Sequence, residues 1–342
     1  MEILLFISIL MLLYTFIGYP FLLFILSKVK LVKTPANHEY KELITVVMVA
    51  CNESRYISAK IQNIFNFKYP SDLIQLIIVD DCSDDNTVEM IKNFNDSRIT
   101  LLRHDRRQGK AAGLNLALSH VNTELVLFLD ARQKVTLNAL SDLSSWFINT
   151  DVAAVSGEVK FLDSSGDSTG MDAYQKYERF IRKHEAQVSS VPGVSGAIYM
   201  LRVSQYKDID ADTILDDVLI PMTAAKKGGW IGFDERVVAW DIPSDDWERE
   251  KKRKSRTLNG NYQLLFRRLH WCVPGGHALW FQYLSHKVLR LAAPIFAFSM
   301  IYSSFSLGMQ GSLFSLIFSV ITVFGIMIYP FSLYFPSINR FI

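Results

Sequence analysis

Charge-free apolar runs lie near both ends of the chain, and between them short apolar runs alternate with helical patterns. Ile3 to Leu26 is long enough to cross the hydrocarbon core of a bilayer as one helix. Leu291 to Gln310 and Ser312 to Phe335 predict two more membrane-spanning helices, with a turn at Gly311 between them. A hairpin of buried soluble helices is the alternative for this pair, and it fits less well because each run is apolar on all faces.

Basic residues flank these runs and predict their orientation. Lys28, Lys30 and Lys33 follow the first run, so the positive-inside rule puts the residues after it in the cytoplasm. A cleaved signal peptide fits this end poorly, because Glu2 is acidic and no short apolar region leads to a small-residue cleavage site. The C-terminal runs are again preceded by basic residues, namely His286, Lys287 and Arg290. We therefore expect a multi-pass protein of the cell membrane with a cytoplasmic globular domain.

The segment from Leu43 to about Asp241 predicts an α/β domain. Its predicted strands are Ile44–Ala50, Ile74–Asp80, Ile99–Arg103 and Leu125–Asp130, and its predicted helices begin near Ser54, Asp85, Lys110 and Leu137. Strands that are apolar on both faces and alternate with helices indicate a Rossmann-like, mostly parallel sheet with flanking helices. Ligands of such sheets bind beyond the carboxyl ends of the strands, where the notable acidic residues of this chain also fall.

The composition agrees with a globular domain attached to a membrane and limits the partners of the chain. Half of the 342 residues are hydrophobic (50%), and the mean hydropathy is positive at +0.16. The net charge of +2 is too small to support nucleic-acid binding. Cys51, Cys82 and Cys272 form no C-x-x-C pair, which is typical of buried or incidental thiols in a reducing compartment.

Aromatic and basic residues are mixed between Tyr262 and Tyr283, a pattern that fits a helix lying in the lipid headgroup layer. An amphipathic helix packed on the globular domain fits the same pattern, and the sequence leaves both interpretations open. We divide the chain into an N-terminal membrane helix (residues 1–30), a cytoplasmic domain (40–260), amphipathic interface helices (261–288) and two C-terminal membrane helices (289–342).

The first strand-to-helix turn argues against two common kinds of nucleotide site. It reads ACNES at residues 50–54 and lacks the glycine that lets backbone approach the pyrophosphate of a dinucleotide. Gly109 and Lys110 lack the glycine spacing and the following Ser or Thr of a P-loop. We therefore expect neither a dehydrogenase nor an ATPase.

Polar side chains at strand ends and helix starts are the first candidates for chemistry. Asp81 is better placed than Asp80 to accept hydrogen bonds from a nucleobase, because it lies further beyond the second strand. Asp84 or Asp85 fits a helix cap. Lys110 can reach an anionic group that also meets the positive end of its helix. An ordinary surface lysine at a helix start is the alternative.

Asp130 and the adjacent pair Asp216 and Asp217 are the remaining acidic candidates. A carboxylate at the tip of an apolar strand has little structural purpose, so Asp130 predicts a ligand for a divalent cation on a diphosphate. Acids at a helix start are common for electrostatic reasons alone, but one of two neighbours can cap the helix while the other faces a cleft. The basic run from Arg253 to Asn261 has three possible interpretations. It is exposed to solvent, it binds anionic lipid headgroups, or one or two of its arginines turn inward and bind phosphate.

In this order along the chain, the motifs resemble those of the membrane-bound family-2 glycosyltransferases with a GT-A fold, the branch that includes cellulose, chitin and hyaluronan synthases. The resemblance covers nearly the whole chain. It implies an inverting transfer from a nucleoside-diphosphate sugar (a UDP- or GDP-sugar) to a lipid-linked or glycan acceptor, in the synthesis of cell-surface polysaccharide or glycoconjugate. It implies Mg²⁺ or Mn²⁺ as cofactor, and membrane lipids but no nucleic acid as further partners.

The resemblance also implies roles for individual residues. Asp217 matches the catalytic base, and the acceptor side is formed by Ser195, Gly196 and Asp216. The residues that match the nucleotide-sugar site are Ala50, Asn52, Glu53, Asp81, Lys110, Asp130, Arg253 and Arg256, of which Asp130 is also the expected metal ligand.

Two departures from the family pattern affect these expectations. The D-x-D motif reads Asp130, Ala131, Arg132, so the metal site lacks one expected ligand. The Q-x-x-R-W motif begins with Arg253 and lacks the tryptophan associated with processive synthases. With few C-terminal spans as well, the sequence favours addition of a single sugar. A processive polysaccharide synthase and a non-catalytic scaffold of an assembly complex are the alternatives.

Overall fold

One mixed eight-stranded sheet organises the domain between the apolar ends of the chain. The computed structural model describes residues 1–30, 33–36, 40–162, 173–242, 247–313 and 315–319. The strands are β1 (Ile44–Ala50), β2 (Ile74–Asp80), β3 (Ile99–Arg103), β4 (Leu125–Leu129), β5 (Lys134–Val135), β6 (Val152–Phe161), β7 (Ile198–Arg202) and β8 (Trp230–Asp241), in the spatial order β3-β2-β1-β4-β7-β6-β8-β5.

The α-helices of the described residues flank this sheet or belong to the apolar ends. They are α1 (Glu2–Leu13), α2 (Tyr19–Val29), α3 (Ile57–Phe65), α4 (Thr87–Lys92), α5 (Lys110–Leu118), α6 (Ala139–Ser144), α7 (Ala173–Val188), α8 (Asp216–Lys226), α9 (Trp247–Arg267), α10 (Trp280–Gln282) and α11 (Leu289–Met309). Short 3₁₀ segments occur at Ser71–Leu73, Ser145–Ile148, Val203–Gln205 and Leu269–Cys272. Wider π-type turns occur at Tyr14–Gly18 and Tyr283–Val288.

The first half of the sheet confirms the parallel arrangement predicted from the sequence. Strands β1, β2 and β3 pair in parallel, and β4 pairs in parallel with the other side of β1. The register aligns Ala50 with Asp80 and Asp80 with Arg103, so these strands end at one edge of the sheet. Their side chains are buried on both faces in β1, β2 and β4, which is why the sequence shows continuous apolar runs there.

The second half of the sheet is mixed and was not predicted. Strand β7 runs antiparallel to both β4 and β6, whereas β8 runs parallel to β6 and antiparallel to β5. Three predicted helix starts were also too early, because helices α3, α4 and α6 begin at Ile57, Thr87 and Ala139. Strand β4 ends at Leu129, one residue before the predicted Asp130.

Helix α5 packs unusually close to the sheet, and this contact sets the position of its first residue. A Cβ built on Gly113 of α5 would lie 2.8 Å from Cγ1 of Val49 on β1. No larger residue fits at that distance without a shift of the helix or the strand. The small residues that follow Lys110 therefore fix α5 against the carboxyl end of β1.

The described residues contain two helical runs long and apolar enough to cross a membrane, judged by length and composition. They extend over Glu2–Val29 and Trp280–Met309. Residues 1–22 and the described residues from 284 to 319 form one compact unit, in which α1 packs along α11 and the hydroxyls of Tyr14 and Ser285 lie 2.8 Å apart. The described residues between 23 and 283 form the other unit. Most of the third predicted span, Ser312 to Phe335, lies outside the described residues.

Candidate active site

The turn after β1 is locked to the turn after β2 by hydrogen bonds between their polar residues. Asn52 has a positive φ of 59°, its backbone N–H donates to Ser83 Oγ at 2.9 Å, and its side-chain oxygen accepts from the Asp84 N–H at 3.0 Å. Asp85 accepts from the Ser54 N–H at 3.1 Å. These bonds hold residues 52–54 against residues 83–85, and helices α3 and α4 begin after them.

Asp81 is buried (6% exposed) and organises the loop that leads to α5. Its two oxygens accept hydrogen bonds from the backbone N–H groups of Gln108 at 2.8 Å and Gly109 at 2.9 Å, and His104 Nδ1 lies 2.9 Å away. Burial acts to raise the pKa of Asp81, but these hydrogen bonds outweigh it and lower the pKa. Gly109, directly before Lys110, has a φ of 88°. Glycine adopts this positive φ without strain, whereas a residue with a side chain would be strained there.

Lys110 joins carboxylates from two different parts of the fold. Its Nζ lies 2.9 Å from Oδ1 of Asp130, just beyond β4, and 3.5 Å from Oδ2 of Asp216, the first residue of α8. Burial acts to lower the pKa of Lys110, but the charges of Asp130 and Asp216 outweigh it and raise the pKa. The Asp216 side chain is 6% exposed, so this carboxylate depends on Lys110 for its charge balance.

Asp217 lies directly beside the segment expected to form the acceptor side. Its backbone carbonyl accepts a hydrogen bond from the Val194 N–H at 2.9 Å. A Cβ built on Gly196 would lie 3.4 Å from Oδ2 of Asp217, so the absence of a side chain at Gly196 leaves the carboxylate room on that side. Ser195 is 8% exposed, and its N–H donates to Ser156 Oγ at 2.8 Å, which holds the segment in place.

A cavity of about 220 Å³ opens at the carboxyl ends of β1, β2 and β4. Its charged lining comprises Glu53, Asp81, Lys110, Asp130, Arg132 and Arg256, and Ala50 also contributes to it. Arg132 Nε lies 3.6 Å from Glu53 Oε1, so the position of the second D-x-D acid carries an arginine paired with a carboxylate of the same cavity. Burial raises the pKa of Glu53, while Arg132 opposes this shift.

The two arginines expected to contact phosphate have different surroundings. Arg256 lines the cavity, whereas the guanidinium of Arg253 forms two hydrogen bonds with Glu250 on the same helix, at 3.0 and 2.8 Å. Both belong to α9, which begins at Trp247 and so includes the whole basic run. Gly260 of α9 lets this helix approach the residues before α8, because a Cβ there would lie 2.6 Å from Cγ of Leu215.

Two buried residues near the site were not among those predicted from the sequence. Lys60 of α3 is 3% exposed, and its Nζ donates to the Gln133 carbonyl at 2.6 Å, behind the loop that carries Asp130. A signal was present, because Lys60 lies at helical spacing among apolar residues of α3. Tyr199 of β7 is 1% exposed, and burial and then Asp216 raise the pKa of its phenol. Its strand was not predicted, so no pattern identified it.

The donor set around Asp130 does not fit a divalent cation. Mg²⁺ and Mn²⁺ prefer several oxygen ligands in near-octahedral geometry. Here Asp130 accepts a hydrogen bond from Lys110 at 2.9 Å, and the next D-x-D position is Arg132. Within the described parts of the chain, no group of three or more His, Cys, Asp or Glu side chains could hold a metal ion.

Comparison with known proteins finds a family model that matches part of the sheet domain and curated proteins that match more than two thirds of the chain. Residues 45–209 match the model of the family described as Glycosyl transferase family 2. The poly-beta-1,6-N-acetyl-D-glucosamine synthase of Staphylococcus epidermidis is 24% identical over 275 residues, which cover 77% of this chain and 66% of that protein. The same-named protein of Staphylococcus aureus (strain COL) is 25% identical over 244 residues, 69% of this chain and 58% of that protein. The matched stretch thus spans 66% and 58% of the length of these two relatives, less than two thirds of each.

Among solved structures, the mannosyltransferase PcManGT from Pyrobaculum calidifontis, in complex with GDP-Man and Mn²⁺, matches with a TM-score of 0.74. The match covers 98% of this chain and 94% of that chain at 21% sequence identity. At this identity the likeness concerns the fold. It confirms the expected fold class, a sheet with flanking helices of the GT-A type.

Proposed function

We propose, on the premise that residues 45–209 are a glycosyl transferase family 2 domain, that this chain moves one sugar from a nucleoside-diphosphate sugar to an acceptor hydroxyl with inversion at the anomeric carbon. The domain is a glycosyltransferase of the GT-A fold. The specific reaction and the roles of single residues are the proposal.

The observation that carries the proposal is the contact of Lys110 with Asp130 and Asp216. It joins a cavity at the carboxyl ends of the parallel strands to the start of α8. Ligands of parallel sheets bind at this edge. Asp217, the next residue of α8, provides a carboxylate next to that junction and beside the open backbone of Gly196. A donor in the cavity and an acceptor beside Asp217 therefore meet over a short distance.

In the proposed step, the carboxylate of Asp217 removes the proton of the acceptor hydroxyl as its oxygen attacks the anomeric carbon. The new C–O bond forms while the bond to the leaving phosphate oxygen breaks, and that oxygen keeps the electron pair. Lys110 and Arg256 face the cavity and stabilise the negative charge that develops on the nucleoside diphosphate. Holding donor and acceptor in line supplies a further part of the rate.

The donor is proposed to be a UDP- or GDP-sugar, since the structurally similar mannosyltransferase was solved with GDP-Man. The acceptor is proposed to be lipid-linked or a glycan, because two helices of the chain are long and apolar enough to cross a membrane. Lysines directly after the first of these helices support a cytoplasmic position of the catalytic domain.

The test is release of nucleoside diphosphate by purified full-length protein in detergent, over a panel of UDP- and GDP-sugars. Asp217→Asn removes the base with little change in size, and we expect turnover to fall by roughly 10²- to 10⁴-fold. Asp72→Asn is the matched control, because Asp72 is an exposed aspartate before β2, at the opposite edge of the sheet. Turnover of Asp217→Asn equal to that of Asp72→Asn contradicts the proposed base.

A processive polymer synthase is the second candidate, favoured by the names of the curated staphylococcal relatives. The two functions differ in their products. A single-sugar transferase yields one addition per acceptor, whereas a synthase yields chains whose length grows with time. Size analysis of a radiolabelled product from the active donor separates them.

A further inference from the structure

Three cations converge on the candidate cavity, and they carry an inference that rests on the proposed nucleotide-sugar function. Lys110 comes from the start of α5, Arg132 from the loop after β4, and Arg256 from α9. These segments are far apart along the chain. A diphosphate is a ligand that several converging lysine and arginine side chains recognise, with arginine able to form two parallel hydrogen bonds to it.

The carboxylates of the same cavity already have cationic or N–H partners. Asp130 accepts from Lys110 at 2.9 Å, and Glu53 lies 3.6 Å from Arg132. Both oxygens of Asp81 accept from the loop before α5. A divalent cation that bound Asp130 or Glu53 would lie close to the lysine or arginine already paired with that carboxylate, and the positive charge of that partner would repel it.

A further lysine stands directly behind the loop of Asp130. Lys60 donates to the Gln133 carbonyl at 2.6 Å from a position that is 3% exposed. Burial lowers the pKa of Lys60 to about 7, and the charge of Asp130 acts in the opposite direction. A metal dication at Asp130 would therefore have Lys110 on the cavity side and a second lysine behind the loop.

We infer that Lys110, Arg132 and Arg256 neutralise the donor diphosphate directly, and that this chain binds its nucleotide without a divalent cation. The position that carries the second metal-binding acid in the family pattern carries a cation here. Arg132 is free to turn toward a phosphate, because its side chain is 62% exposed and its pairing with Glu53 is loose at 3.6 Å. The likeness to a protein solved with Mn²⁺ concerns the fold, so the metal dependence of this chain is inferred from its own residues.

The first experiment measures UDP and GDP binding to the full-length protein in detergent by calorimetry, once in EDTA and once in Mn²⁺. We expect the dissociation constant of the preferred nucleotide to agree within about threefold between the two conditions, because lysine and arginine side chains of the protein neutralise the charge of the diphosphate. Binding that requires Mn²⁺ overturns the inference and leaves the proposed function intact. Failure of both nucleotides to bind in either condition contradicts the proposed function, and the inference with it.

The second experiment changes Arg132, whose exposure makes its substitution safe for folding. Arg132→Gln removes the charge and is expected to weaken binding in EDTA by about 10- to 100-fold, with no recovery in Mn²⁺. Arg132→Asp recreates the acidic pair of the family motif, and we expect it to bind weakly in EDTA and to recover at least about tenfold in Mn²⁺. Undiminished binding by Arg132→Gln in EDTA, or no recovery of Arg132→Asp in Mn²⁺, overturns the role of Arg132.

Discussion

Replacing Lys110 by methionine tests whether this lysine holds together the two parts of the site. The change keeps the length of the side chain and removes its charge, so Asp130 and the buried Asp216 lose their shared cation. Breaking a buried ion pair by removing one partner costs about 3–5 kcal/mol. The side chains of Lys110 and Asp130 are 26% and 38% exposed, so solvent screening reduces the expected loss to about 2 kcal/mol. For a domain of this size that loss lowers the midpoint of thermal unfolding by about 4–8 °C.

The pH dependence of this loss distinguishes a charge effect from a packing effect. The folded-state pKa of Lys110 is raised above its unfolded value by Asp130 and Asp216, against the effect of burial. Its contribution is therefore present in full below the unfolded pKa of about 10.4 and is lost only as pH rises through the folded value. The deficit of Lys110→Met should therefore shrink only above this unfolded value. We expect the deficit to be smaller at about pH 11 than at about pH 8.

The assay is thermal unfolding in detergent, followed by tryptophan fluorescence at both pH values. Lys226→Met serves as the matched control, because Lys226 is an exposed lysine in the last turn of α8. Lys110→Arg keeps the charge and should recover most of the stability. A deficit in Lys110→Met no larger than in Lys226→Met, or one that does not change with pH, would refute this account of the site.

Two further predictions concern the elements that support the site. Gly113→Ala places a methyl group 2.8 Å from Cγ1 of Val49, and we expect it to destabilise the fold by about 1–2 kcal/mol. In thermal unfolding, a second substitution in the same chain, Val49→Ala, should largely reverse this loss. Burial lowers the pKa of Lys60 to about 7 against the effect of Asp130, so the contribution of Lys60 to stability should rise between pH 7 and about 10.4, by up to about 1.4 kcal/mol per pH unit. Lys60→Met removes this slope, and its difference from the unmodified chain should grow with pH, whereas a constant difference would contradict the prediction.

The parallel half of the sheet was predictable because burial on both faces leaves a continuous apolar run in the sequence. That is why the bounds of β1 and β2 agree with the prediction and β4 ends within one residue of it. The bounds of β3 also agree, although its residues are half-buried or exposed. Strands β5 to β8 were not predicted. Strand β5 has only two residues, and β8 contains charged residues such as Glu235 and Arg236 within its 12 residues, so neither shows the pattern of a buried strand.

The position of acidic residues at strand ends was also predictable, since topology alone brings the carboxyl ends of parallel strands together. Their partners were not. Asn52 was expected at the nucleotide, but its side-chain oxygen accepts the Asp84 N–H. The pairing of Arg132 with Glu53 depends on side-chain geometry that no spacing rule contains. The pairing of Arg253 with Glu250 follows the i,i+3 spacing of a helix, but a helix over these residues was not predicted. Sequence therefore indicates which residues surround a site better than it indicates what each of them contacts.

Asp81 illustrates how this distinction affects the interpretation of a mutant. The resemblance assigns it to the nucleobase, yet its oxygens hold the backbone of Gln108 and Gly109, directly before Lys110. Loss of nucleotide binding in Asp81→Asn would follow from either role, because a displaced Lys110 weakens any diphosphate. The two roles differ in selectivity, since a lost base contact changes the ratio of UDP to GDP affinity, whereas a displaced lysine lowers both affinities by the same factor. Only the ratio therefore measures recognition of the base, and a mutant assayed with a single nucleotide leaves the two roles combined.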